Sequence, residues 1–280
     1  MRFSVQKDNK EENALKKPVM YKLTFITMVT AAVLLSGCQS SGLKKDPEKA
    51  MQVRTQLAAE YLKSGDLDAA KRALDLALEN GSRDPTANMM MGILLQQEGS
   101  DINLKKADSY FKRALSADSK DAQIRNNYGT YLFQMQRYPE AVEHLSIAGA
   151  TLGYNQRFRA LENLGRVYLR MDDVANAEKA FRQALSVNRD SNIALLELAE
   201  LLYLRGEATD ATYVYQQYVR SVGQKNQGAR ALWIGIRTAR ANNDDLGRQA
   251  LVNQLRALFP ESQEYQRYLQ LQYSTEAVWK

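Results

Sequence analysis

One cysteine and one histidine stand in 280 residues. With Cys38 alone, no intramolecular disulfide and no thiolate metal cluster can form. With His144 alone, no His-based metal site, Ser–His pair or Cys–His pair can be built around a second imidazole, and His144 reads as a packing or surface residue. Alternating strand patterns of useful length are missing too, so no glycine-rich phosphate loop follows a strand. The uncharged run Leu23–Leu35 has only thirteen residues, against the roughly 20 that cross about 30 Å of hydrocarbon. That is the length of a signal peptide. A composition 45% apolar and 25% charged is ordinary for a core-forming chain. The acid pairs Asp172-Asp173 and Asp244-Asp245 fall in short turns, where such residues cap helices. No catalytic residue and no cofactor is expected.

The run from Leu23 ends in Leu35-Ser36-Gly37-Cys38. These four residues resemble the lipobox of bacterial lipoproteins, which implies cleavage between Gly37 and Cys38 and acylation, with palmitate among the chains, at Cys38. The competing fate of a free cysteine, a buried small hydrophobe, leaves the correctly placed run unexplained. Gln39 follows. In enterobacterial lipoproteins that implies outer-membrane sorting, with the body in the periplasm. Residues 1–37 therefore read as a signal peptide, in which Met1–Val19 form a polar extension upstream of Met20. Their removal takes away six basic and three acidic side chains and leaves 32 and 29, so the +6 of the whole chain overstates any attraction to nucleic acid. No nucleic acid and no small-molecule substrate is expected. Residues 38–49, polar and rich in Ser, Gly and Lys, read as the lipidated cysteine and a flexible tether.

Beyond the tether a pattern repeats. Six small residues, Ala58, Gly92, Gly129, Gly165, Ala199 and Gly235, each follow an apolar residue, at intervals of 34, 37, 36, 34 and 36. Each has a companion segment downstream: Ala70-Leu74-Ala77, Ala107-Phe111-Ala114, Ala141-Leu145-Ala148, Ala177-Phe181-Ala184, Ala211-Tyr215-Tyr218 and the degenerate Gly247-Leu251-Gln254. Small residues facing each other let two helices nest, while the large neighbours fill the gap. A period of about 34 is the tetratricopeptide value. The sequence resembles that family and implies an all-α fold: a right-handed α-solenoid of about six helical hairpins over residues 50–270, ending in a capping helix. Roughly three extra residues near Gly99–Asn103 imply that the turn or the helix end bulges in the second repeat. Residues 271–280 read as a frayed tail.

In such a stack the first helices line the concave side. Carrying the family's concave positions over gives a partner-binding groove of Thr55, Ala59 and Leu62, then Met89, Ile93 and Gln96, then Asn126, Thr130 and Phe133. Met89-Met90-Met91 suits apolar guests, although methionines at helical spacing are more often core. The fourth repeat offers Arg159, Glu162, Asn163 and Arg166, where Arg159 and Arg166 could hold an acidic segment by bidentate bonds or simply form a solvated face. The carboxylate clamp of chaperone-binding relatives needs Lys and Asn where Thr55 and Ala59 stand, which disfavours that partner.

A lipobox followed by six such repeats, with Tyr61-Leu62-Lys63-Ser64-Gly65-Asp66, Asn126-Asn127-Tyr128-Gly129 and Glu162-Asn163-Leu164-Gly165, is similar to the PilW/PilF family of pilotin lipoproteins of type IV pilus biogenesis. The resemblance implies an adaptor that binds secretin subunits and brings them to the outer membrane. Two rivals are a tetratricopeptide lipoprotein serving outer-membrane protein assembly or cell-wall enzyme regulation, and a murein hydrolase on a helical solenoid.

Overall fold

The computed structural model describes residues 46–279; the expected signal peptide, the lipobox-like residues with Cys38 and most of the expected tether lie outside the described residues. Six helical hairpins follow one another: α1 (Pro47–Ser64) with α2 (Leu67–Asn80), α3 (Pro85–Glu98) with α4 (Asp101–Ala117), α5 (Ala122–Gln134) with α6 (Tyr138–Ala150), α7 (Arg157–Arg170) with α8 (Val174–Val187), α9 (Asn192–Arg205) with α10 (Ala208–Val222), and α11 (Ala229–Ala241) with α12 (Asp245–Leu258). Helix α13 (Gln263–Leu271) and a single turn, α14 (Glu276–Trp279), are the last elements of the described residues. Among the described residues there is no strand, and no helix is long and apolar enough to cross a membrane.

Local chemistry places the breaks. Pro47 and Pro85 each open a helix, at the position where a missing N–H costs nothing. Side-chain oxygens of Asp66, Asp84, Asp121, Asp173, Ser191 and Asp244 accept from the first free amides of the next helix, as in Asp66 Oδ1 with Ala69 N at 2.9 Å. Every turn inside a hairpin contains one residue with positive φ: Gly65, Gly99, Gln136, Asp172, Gly206 and Asn243. A backbone that must turn left-handed at that point favours glycine or a short polar residue, so a Gln at φ 59° is the odd member.

The uneven spacing has separate physical sources. In the second hairpin the extra residues do not bulge the turn. They lengthen α4 to 17 residues, with Ser100 capping its start, against 14 in α2 and α8. The interval of 36 after Gly129 is taken up by the loop Thr151–Gln156, and the one after Ala199 by a 3-10 turn, Gln224–Asn226. Likewise the tether ends three residues earlier than expected, because α1 begins at Pro47.

Packing follows the steric code. A methyl group added at Gly165 would lie 2.6 Å from the fully buried Phe181 ring and force it to shift, and one at Gly92 would lie 3.0 Å from the fully buried Phe111 ring, tighter than an ordinary contact. The main apolar interior runs from Met51 to Ile234. A second, separate cluster holds Leu232, Trp233, Ile236, Val252, Leu255 and Trp279. Residues 271–280, expected as a frayed tail, include the helical turn Glu276–Trp279, and Trp279 is fully buried.

Candidate functional site: the face of the first helices

Successive first helices are cross-linked by polar side chains, many of them two or three residues before the small position or one after it. Asn127 Nδ2 donates to Met89 Sδ at 3.2 Å, and Gln96 Nε2 to Gln134 Oε1 at 2.8 Å, joining α3 to α5. Asn163 Nδ2 donates to Asn126 Oδ1 at 3.3 Å and Thr130 Oγ1 at 3.2 Å, joining α5 to α7. Ser191, which caps α9, donates to the buried Glu162 carboxylate of α7. Further along, Arg230 holds Glu197 through two bonds of 2.8 Å and reaches Glu200 at 2.5 Å, while Arg237 also pairs with Glu200.

Between α5, α7 and the start of α9 the Asn163–Asn126–Thr130 and Ser191–Glu162 groups border an open basin of about 570 Å³, lined also by Asn127, Phe158, Arg159 and Asn192 among others. The Arg159 guanidinium lies 5.8 Å from the centre of the Phe158 ring. Burial pushes the Glu162 carboxyl above the usual carboxylate range, against the pull of Ser191, Arg159 and Arg166. Neighbouring arginines hold Glu200 below that range in spite of its burial. The basin is thus rich in amide donors and acceptors, with the exposed Arg159 guanidinium at its edge, which suits an extended polypeptide.

The residues expected in the groove divide by burial. Thr55, Leu62, Met89 and Asn126 are buried; the Thr55 hydroxyl donates to the Met51 carbonyl within its own helix, and Met89 is only 2% exposed beneath Asn127. Ala59, Ile93, Gln96, Thr130 and Phe133 are half-buried, and Arg159 and Arg166 are exposed. Arg159 borders the basin together with Glu162 and Asn163. The ionic cluster of Glu197, Glu200, Arg230 and Arg237 escaped the sequence reading. Its signal was present, since Glu197 and Glu200 stand two before and one after Ala199, as Asn163 and Arg166 do around Gly165.

His144 lies on a second helix, half-buried, with Nδ1 3.1 Å from Arg125 Nη1 and its ring 4.8 Å from that of Tyr128. Burial and the nearby Arg125 and Arg137 lower its pKa from the ordinary 6.5, outweighing Glu143 and Glu140. A group depressed in the fold binds its proton more readily when unfolded, so its contribution to stability is lost as pH falls below about 6.5. An NMR titration of the single imidazole is expected to give a midpoint below 6.5, and a midpoint above it would contradict this packing.

The tetratricopeptide-repeat family pattern matches residues 120–190 and 162–229. The type IV pilus assembly protein PilF of Pseudomonas aeruginosa is 36% identical over 243 residues, which cover 85% of this chain and 94% of that protein. The chain belongs to the PilF/PilW family. A solved structure of Pseudomonas aeruginosa PilF superposes with a TM-score of 0.74 at 34% identity, covering 81% of this chain and 99% of that one. A crystal structure of PilW, described as a widely conserved type IV pilus biogenesis factor, gives 0.69 at 27% identity, covering 78% and 98%. The PilF/PilW likeness thus spans the six-hairpin body, and this protein is a tetratricopeptide-repeat protein of type IV pilus biogenesis.

Proposed function

We propose that this protein is a pilotin: an outer-membrane lipoprotein, anchored through acylated Cys38 with its repeats in the periplasm, that binds secretin subunits and promotes their assembly. It catalyses nothing and needs no cofactor; the concave face does the work by holding a polypeptide. The similarity to PilF over nearly its whole length carries this reading. It is supported by the lipobox at Leu35–Cys38 and by an amide-rich basin between hairpins three to five. The lipid would confine the body to the membrane surface, so a modest groove affinity gains from high effective concentration.

The half-exposed Ile93 tests the groove where buried Leu62 cannot, because a charge at Leu62 would disrupt the core itself. With Ile93→Asp, capture of the secretin from detergent-solubilised membranes is expected to fall by about ten-fold or more, equivalent to roughly 1.4 kcal/mol. Because Ile93 also packs against the core, circular dichroism showing the variant still folded at the assay temperature is the control for that loss. Undiminished capture would remove this part of the face from the proposed site.

A further inference from the structure

We propose that segment 272–279 is a self-docked strap filling an aromatic slot on α11, and that this slot receives an aromatic side chain of an incoming polypeptide once the strap leaves. The inference rests on reading the first-helix face as a polypeptide groove. Trp233 is the floor of the slot. It stands two residues before Gly235, as Asn163 stands two before Gly165 and Asn127 two before Gly129. Asn127 and Asn163 both line the basin, so the same row of the solenoid passes from amides to an indole at the sixth hairpin. The next members of that row on α11 are Arg237, which reaches back to Glu200 of α9, and Arg240.

The slot is built to hold a flat ring. Trp279 stacks on Trp233 with centres 5.2 Å apart and planes 16° apart, and it meets Tyr268 edge-on at 6.1 Å. The Arg240 guanidinium lies 4.6 Å from the centre of the Trp279 ring. Stacking, edge contact and a cation over the π face select an electron-rich aromatic over an aliphatic side chain.

The strap itself is lightly held. Arg240 Nη2 donates to the Ser274 carbonyl at 2.6 Å, but Tyr273 is 93% exposed and Val278 54%. Trp279 Nε1 is buried without a hydrogen-bond partner, and so is Nε of the neighbouring Arg237. An unmet buried donor counts against the closed state. What keeps the slot filled is connection: only residues 272–275 separate α13 from α14, and so short a link gives an effective concentration on the order of millimolar. A free competitor has to exceed that before it enters.

The test uses the full chain and a fluorescent peptide of residues 272–280 as free probe. Trp279→Ala is expected to bind the peptide about ten-fold or more tighter than the wild type, and adding Trp233→Ala to that variant should abolish binding while helix content stays unchanged. Trp279→Phe keeps an apolar filler over the core and should fall between the two, which separates displacement from unfolding. Equal peptide binding by wild type and Trp279→Ala would overturn the proposal. In a second arm, solubilised secretin should be captured about ten-fold more strongly by Trp279→Ala. Equal capture by both proteins would rule out the competition. Capture by neither would sink the pilotin reading and leave the peptide arm to decide the strap.

Discussion

Phe111→Ala is expected to lower the unfolding free energy by about 3–5 kcal/mol, measured as a drop in the urea midpoint. The ring is fully buried at the junction of three helices. It lies against Gly92 of its own hairpin, and its centre is 5.5 Å from Tyr128 and 5.4 Å from Tyr131 in the next. Alanine would leave a void the size of the ring, bounded on one side by a glycine that cannot fill it. It would also remove two aromatic contacts, each of about 0.5–1.5 kcal/mol beyond area burial. Since hairpins in a solenoid are supported chiefly by their neighbours, the loss falls on both hairpins that share the ring. A midpoint change equivalent to less than about 1 kcal/mol would mean that the site collapses around the vacancy, contrary to the packing described.

Cys38→Ala should give an all-or-none result in cells: no incorporation of labelled palmitate, transfer of the protein from the membrane pellet to the soluble fraction, and failure of the secretin to accumulate in the outer membrane. The size of the effect follows from acyl-chain arithmetic. Each buried methylene contributes about 0.8 kcal/mol, so a single chain binds marginally and reversibly while several together hold firmly. Among the described residues no helix is long and apolar enough to cross a bilayer, so the repeat body itself offers no span in place of the lipid. Persistence of the variant in the pellet after salt and carbonate washing would refute the lipid anchor and the localisation built on it.

The hairpins could be read from the sequence because their determinant is local and steric. The companion small residue follows the first by twelve positions in five repeats, as from Gly165 to Ala177, and by fifteen in the second, from Gly92 to Ala107. Where those three residues go is not a local matter. A bulged turn and a longer helix have the same spacing, and the cap offered by Ser100 decided for the helix. Groove positions transferred by register fix a helix and a position but not a side chain's depth, and Met89 lies under Asn127 because the neighbouring helix covers it. The Arg230–Glu197 and Arg237–Glu200 pairs are 33 and 37 residues apart, so the register of Glu197 and Glu200 places the acids on the face but does not name their partners. Trp279 was misjudged for a related reason: a polar neighbourhood reads as disorder until Trp233, far upstream, supplies a surface for its ring.

The separation of the terminal cluster from the main interior bears on how the molecule can change over generations. Substitutions around Leu232, Val252 and Leu255 are compensated among a handful of neighbours in the sixth hairpin and its cap, whereas the interior from Met51 to Ile234 passes strain from one hairpin to the next. Selection can therefore remodel one end of the scaffold for a new client while the rest keeps its shape.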